Sequence, residues 1–323
     1  MVLSTSAVHA GSLTLGAASG YNVFTLGAYS TPGGTDIQGS VAVGGSFTAT
    51  GSLSINEAPG SATPGTVGLV AGGNLSLAGG QLDNTNAGNA WVGGNVSSSS
   101  YFNFEHNLNY VGTLNSSNTV VGGTTNHISS GTMPIDFPSA ATSLDQLSNT
   151  LAGEATNGIV VVNGSTYTLT ATGCTLCVFD LSSGSFTNSA ININAPSSAT
   201  VVINVSGTSD SFTNGSINYT GGATANDTLF NFGSATALST TGMTIYGSVL
   251  APWATFTGTN GSIDGELIAA SVTGETAELE SGDIFNGNLG NSATPEPSTW
   301  ALMAIALVPW VLFRARRTAS SRP

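Results

Sequence analysis

Short alternations of apolar and polar residues dominate this chain. Phe47-Thr48-Ala49 and Asn74-Leu75-Ser76-Leu77 repeat with a period of two, which on a strand sends one set of side chains inward and the other outward. The runs are brief and punctuated by glycine and asparagine, so strands are predicted along most of the length. "NGIVVVNGSTYTLTATG" and "AININAPSSATVVINVSG" read as buried strands. One segment departs from the pattern. In "IDFPSAATSLDQLSNTLAGE", Phe137, Ala140, Ala141, Leu144, Leu147 and Leu151 fall at helical spacing, Pro138 suits a first turn and Gly153 a stop. The spacing predicts one amphipathic helix over 138–152, its leucines packed along the side of the strands.

Three stretches share one pattern: "IQGSVAVGGSFTATGS" from Ile37, "IYGSVLAPWATFTGTNGS" from Ile245 and "IDGELIAASVTGETAEL" from Ile263. A looser unit, an apolar residue before a glycine pair, recurs at Val43-Gly44-Gly45, Ala71-Gly72-Gly73, Val92-Gly93-Gly94 and Val121-Gly122-Gly123, 21 to 29 residues apart. Such periods mark solenoids, because one coil of short strands cannot bury its own apolar side chains whereas a stack shares a continuous core. Glycine at fixed places would supply positive φ at corners or closeness to the next coil. A right-handed parallel β-helix accounts best for these features. A β-sandwich, also built of evenly spaced strands and turns, is the alternative.

Charge narrows the function. Every Lys or Arg among the 323 residues lies at Arg314, Arg316, Arg317 or Arg322, and the net charge is -13. Nucleic acid is excluded as a partner, since phosphate binding needs cations to displace counterions. With 40% hydrophobic residues the chain can still build a core.

The last thirty residues are different in kind. Trp300 to Phe313 carries no charge, and at about 1.5 Å per residue a helix there reaches roughly 21 Å, short of the ~30 Å hydrocarbon core. Pro309 disturbs it further, while the arginines keep the extreme C-terminus cytoplasmic and put the body across the membrane. Pro295-Glu296-Pro297, the apolar run and the cluster Arg314, Arg316, Arg317 together resemble a PEP-CTERM sorting signal. That resemblance implies export in a Gram-negative bacterium and processing by an exosortase, a cysteine transpeptidase of the inner membrane. The plain alternative is a C-terminal anchor that stays uncleaved. At the other end, Val8-His9-Ala10 resembles the close of a signal-peptide cleavage site. The chain is accordingly divided into a signal-peptide remnant (1–10), a solenoid domain (11–290) and a sorting tail (291–323) with a short membrane segment at 300–313.

The body carries a resemblance of its own. "SGYNVFTLGAYS" followed by "DIQGSVAVGGS", the helix after Asp136-Phe137, "TLFNFGSATALS" and "YGSVLAPWATFTGTNGSIDGELIAASVTG" are similar to the choice-of-anchor A domain. This implies an adhesive domain that occurs with different surface-anchoring tails and has no catalytic residues to carry over. The same C-terminal segment is similar to the last coils of ice-binding-like adhesin domains, β-solenoids with a helix alongside.

Candidate chemistry is sparse. Cys174 and Cys177 form a lone C-x-x-C, for which export favours a disulfide over a redox pair or zinc site, and a bridge requires a tight turn at Thr175-Leu176. His106, beside Glu105, and His127, nine residues before Asp136, read as scattered surface histidines. Asp264, Glu266, Glu275, Glu278, Glu280 and Asp283 gather near the end of the body, where an outward-facing set could hold Ca²⁺, though a solvated acidic face that guards the open edge is the simpler reading. No catalytic set, metal or cofactor is implied, and a lyase would lack the Lys or Arg that stabilises a carbanion.

A structural or adhesive surface protein is therefore expected, with extracellular polysaccharide as a candidate partner. Ice or crystalline-surface binding is the alternative: "TFTGT" and "TLTAT" contain Thr-x-Thr steps, but along the sequence these stand isolated. A carbohydrate-active enzyme ranks below both. Sorting by an exosortase predicts that mass spectrometry of the mature protein from its host finds no residues from Trp300 onwards; an intact C-terminus would indicate the plain anchor.

Overall fold

Strands of about three residues leave each apolar side chain only one place to go, the interior of a stack. The computed structural model describes residues 13–57, 67–84, 88–116, 118–182, 184–274 and 276–290. The expected signal remnant (1–10), Pro295-Glu296-Pro297, the run 300–313 and Arg314, Arg316 and Arg317 lie outside them, and Glu275 does too. Among the described residues no helix is long and apolar enough to cross a membrane. Residues Thr14–Leu289 form one compact unit. Leu13 and Gly290 belong to a second unit, in which the Leu13 N–H donates to the Gly290 carbonyl at 2.9 Å.

The architecture of the compact unit is a right-handed parallel β-helix, not a sandwich. A representative coil consists of Val41–Val43, Phe47–Ala49 and Leu53–Ile55, one strand on each of three faces, here called A, B and C. Each strand pairs in parallel with the coils on either side: Val41 with Val23 and Leu69, Phe47 with Tyr29 and Leu75, Leu53 with Thr35 and Leu82. Inward positions therefore stack on inward positions, and rings meet along the axis. Tyr29 stacks on Phe47 and Phe186 on Phe212, each with centroids 4.8 Å apart.

The coils do not follow one another in chain order. From Val23 the chain winds outward to Thr125–His127 at one end, then crosses back through a helix to the far end. There it starts again at Ile159–Asn163 and winds inward until Leu267–Thr273 and Glu278–Glu280 dock on the first coil. Val23 pairs with Leu267, Ser30 with Thr273, and Ile37 with Leu279. Ile245, Ile263, Leu279, Ile37 and Ile55 consequently form one ladder on face C. The shared Ile-x-Gly motif marks the C-to-A corner of coils near this seam. At that corner Gly265 has φ +150°, and a Cβ there would lie 2.6 Å from the Gly247 carbonyl oxygen. The paired glycines act differently. Gly72 and Gly93 carry no positive φ, but a Cβ on either would come within 2.4 Å of the preceding coil's carbonyl, so closeness is what they supply.

The helix, Phe137–Ala152, begins one residue earlier than the sequence pattern indicates and is capped by Asp136, whose carboxylate accepts from the Ser139 N–H at 3.2 Å and hydroxyl at 2.7 Å. It covers face A. Phe137 meets Phe24 at 5.5 Å, and Leu144, Leu147 and Leu151 are buried. Beyond them a polar ladder grips the last turn. The Asn204 amide donates to the Leu151 carbonyl (2.9 Å) and to Asp180, and the Asn231 amide donates to the Ser148 carbonyl (3.0 Å) and to Asn204. Two carbonyls near the end of the helix thus find partners on the sheet. The segment 159–163 corrects the expectation of a buried strand. Among the described residues it is the outermost strand of the far end, antiparallel to Thr166–Thr170, and Ile159, Val161 and Val162 are exposed because no further described coil lies beyond them.

Polar groups that water cannot reach stitch the seam. The Asn22 amide donates to the carbonyls of Gly265 (2.6 Å) and Glu280 (2.7 Å), and its oxygen accepts from the Gly39 N–H. Glu266 is fully buried rather than part of an outward acidic face, with one carboxyl oxygen accepting from the Gly20 N–H at 2.5 Å. Burial raises its pKa from 4.5 to about 8, against the smaller opposing pull of that hydrogen bond. The folded protein therefore holds a proton that the unfolded chain releases above about 4.5, and stability falls as pH rises from there to about 8. Burial also raises Asp210, to about 6, which adds a slope of the same sign at lower pH. Thermal unfolding followed by circular dichroism should show a melting temperature that declines between pH 6 and 8 in the wild type and is nearly flat there in Glu266→Gln. An equal decline in both proteins would place the titrating group elsewhere.

Candidate binding face

Each face of the β-helix presents different chemistry. Face A is covered by the helix along the middle of the stack. Face C collects carboxylates around the seam: Asp36, Asp83, Glu278 and Glu280 stand on its strands. Face B is open, and nearly all its outward positions are hydroxyls.

Strict alternation on face B produces this. In Ser209–Thr213 the buried positions are Asp210 and Phe212, in Ala237–Thr241 Leu238 and Thr240, and in the second half of Ser248–Thr259 Phe256 and Gly258. The residues between them point out and lie in register from coil to coil. One column reads Ser185, Ser211, Ser239, Thr257. A second reads Thr187, Thr213, Thr241, Thr259, and a third Ser209, Ala237, Thr255, Ser271. Phe256 pairs with Val272, which sets Thr273 next in the central row, and across the seam the row runs on through Ser30, Thr48, Ser76 and Ser97 to Asn115. The Thr-x-Thr steps of "TFTGT" are thus not isolated, and the expectation drawn from the sequence is corrected: Thr255, Thr257 and Thr259 are one rung of a ladder. Spacing follows from strand geometry, at about 4.8 Å between coils and about 6.6 Å between alternate residues of a strand.

These columns contain no charged residue. Each hydroxyl can donate and accept, and threonine adds a methyl group on a side chain already stiff at χ1, so little rotamer freedom is lost when the surface is engaged. Lateral hydrogen bonds hold some of them in place, as between the Thr255 and Ser271 hydroxyls at 3.0 Å. The array suits contact with a repeating neutral surface. At the A–B corner the register shifts between Ala251 and Thr255, and exposed Trp253, its indole N–H donated to Asp145 at 3.0 Å, forms a rim beside the columns.

The other candidate residues are not brought together. A disulfide joins Cys174 and Cys177, with Cα atoms 5.4 Å apart across Thr175-Leu176. His106 is exposed, and His127 packs edge-on against Tyr110 at 5.4 Å on the outermost strand of face A. Asp136 is occupied as the helix cap, which lowers its pKa. In the acidic segment Glu266 is interior, and Asp264 accepts from the Asp283 N–H at 3.0 Å. Burial, then the nearby Asp264 and Glu280 charges, raise Asp283 to about 6. Among the described residues no group of three or more His, Cys, Asp or Glu is placed to hold a metal ion.

A family profile described as "Putative Ice-binding-like adhesive domain" matches residues 14–281. The chain belongs to this family. The match spans the coils of the stack together with the crossing helix. Among solved structures the chain is similar to an ice binding protein from an Antarctic bacterium Flavobacteriaceae, at 12% identity and a TM-score of 0.27 over 83% of this chain and 98% of that one. Likeness at that level transfers no detail. A comparison with curated proteins finds no match.

Outward and inward residues of one face B strand should separate binding from folding. Thr257→Tyr should change unfolding free energy in urea by no more than about 0.5 kcal/mol, whereas Phe256→Ala, which empties a fully buried site, should cost about 3–5 kcal/mol.

Proposed function

We propose that this protein is an adhesin of the cell surface or extracellular matrix that binds through face B, and that its target is a crystalline surface, ice foremost. The observation that carries the reading is the in-register hydroxyl array, from Ser185 through Thr257 to Ser97, on the face that among the described residues is free of both helix and charge. Membership of an ice-binding-like adhesive family supports it. A ligand held through many weak, regularly spaced contacts gains by repetition rather than from any one pocket, and a surface without convergent acid and base groups acts as a binder rather than a catalyst.

Export and display rest on the tail. The PEP-CTERM resemblance at Pro295-Glu296-Pro297 supports an exosortase as processing partner, and the choice-of-anchor A resemblance supports a body that tolerates different anchors. In that setting the adhesin holds a Gram-negative cell or its polysaccharide matrix against the surface it binds.

Ice affinity decides the ligand. Protein added to slowly growing ice should partition into the solid and give measurable thermal hysteresis. The pair Ser239→Tyr and Thr257→Tyr should abolish both, and Asn192→Tyr on face C should leave both intact. Exclusion of the wild type from ice rejects ice as the target. Retention on an insoluble polysaccharide that the same face B pair abolishes would keep the face and change the ligand.

A further inference from the structure

The far end of the stack closes on an unguarded strand edge. Among the described residues, the strand Ile159–Asn163 has one strand neighbour, Thr166–Thr170, to which it runs antiparallel with Val161 opposite Thr168 and Asn163 opposite Thr166. The turn between them is Gly164-Ser165, with Gly164 at φ +61°. In a two-residue hairpin the residues flanking the turn exchange hydrogen bonds, and alternation then commits Asn163, Val161 and Ile159 to the inner edge. Val160 and Val162 are left to direct their N–H and C=O groups outward, away from the stack.

That edge lacks every usual protection: the strand has no charge, no proline and no bulge. Four of its five side chains are apolar as well, with Ile159 at 67% and Val161 and Val162 each at 55% exposure. The whole hairpin from Ile159 to Thr170 is neutral in a chain of net charge -13. Two copies of a body with no Lys or Arg before Arg314 cannot attract one another by opposite charge, so a neutral, hydrogen-bonding edge is where they can meet.

We propose that this edge pairs antiparallel with the same edge of a second copy, about a two-fold axis at Val161. The register follows from parity. With Val161 opposite its twin, Val160 of each copy faces Val162 of the other, and these are the residues whose backbone groups are free to exchange bonds. β-Branched side chains then oppose one another across the axis, a favourable cross-strand pairing. A five-residue pair is smaller than a standard interface, so the dimer is reversible and concentration-dependent. It joins two β-helices at their far ends and leaves face B of both copies uncovered.

Sedimentation velocity of the full chain over a concentration series tests this, with Val161→Lys measured beside the wild type so that any association through the tail is common to both. Expected are a dimer in the wild type, a shift to monomer in Val161→Lys and no shift in Val120→Lys, a change at another exposed valine. Opposite residues of a non-hydrogen-bonded pair have Cα atoms about 4.5 Å apart, within disulfide reach. Val161→Cys should therefore cross-link to dimer under mild oxidant, and Thr168→Cys on the inner strand should not. A wild type that stays monomeric throughout, an unchanged Val161→Lys, or a Val161→Cys that fails to cross-link overturns the proposal.

Discussion

Parallel backbone pairing between coils, held in register for the length of the stack, is the constraint on which the rest of this protein depends. No single coil can bury its own apolar side chains, so the interior exists only because each inward residue lands on another. The same pairing fixes the outside. Once Phe212, Thr240 and Gly258 are aligned inward, Thr213, Thr241 and Thr259 can only line up outward. A core requirement and a binding surface are thus two sides of one register.

The order of coils gives that register its weakest and most informative point. Winding outward from Val23, crossing on the helix and winding inward again means that the first and last coils close on each other in the middle. This junction pairs residues some 240 positions apart in sequence, and such contacts are costly to form early in folding. It is here that Asn22 and Glu266 are buried. The Asn22 amide binds carbonyls on two successive corners at once, and buried Glu266 accepts from the Gly20 N–H beside it, so polar groups tie the two ends of the winding together.

The missing cations shape the surface as much as the core does. Without Lys or Arg the body either exposes its carboxylates, as at Asp36 and Glu278, or buries them at the cost of a raised pKa, as at Glu266 and Asp210. Exposed carboxylates gather on face C around the seam. Face B, built from Ser and Thr, stays neutral, which suits a surface that must approach something uncharged and repetitive without the desolvation cost of ions.

Local chemistry was legible in the sequence. Helical spacing from Phe137 to Leu151 and the stop at Gly153 gave the helix to within one residue, and the Ile-x-Gly repeats named residues that do share a ladder. What could not be read was anything set by coil length. Along the central column of face B, Ser185, Ser211, Ser239, Thr257 and Thr273 are separated by 26, 28, 18 and 16 residues, because the corners absorb insertions while the strands keep their register. No fixed period exposes such a column, so Thr-x-Thr looked solitary. The exposure of Val161 and the burial of Glu266 were hidden for the same reason. Apolar pattern says that a residue belongs to a coil, but only the stacking order says whether another coil lies above it. The sequence by itself determined the strands, the helix and the uncharged hydroxyl repertoire; tertiary pairing alone decided which of those hydroxyls stand side by side.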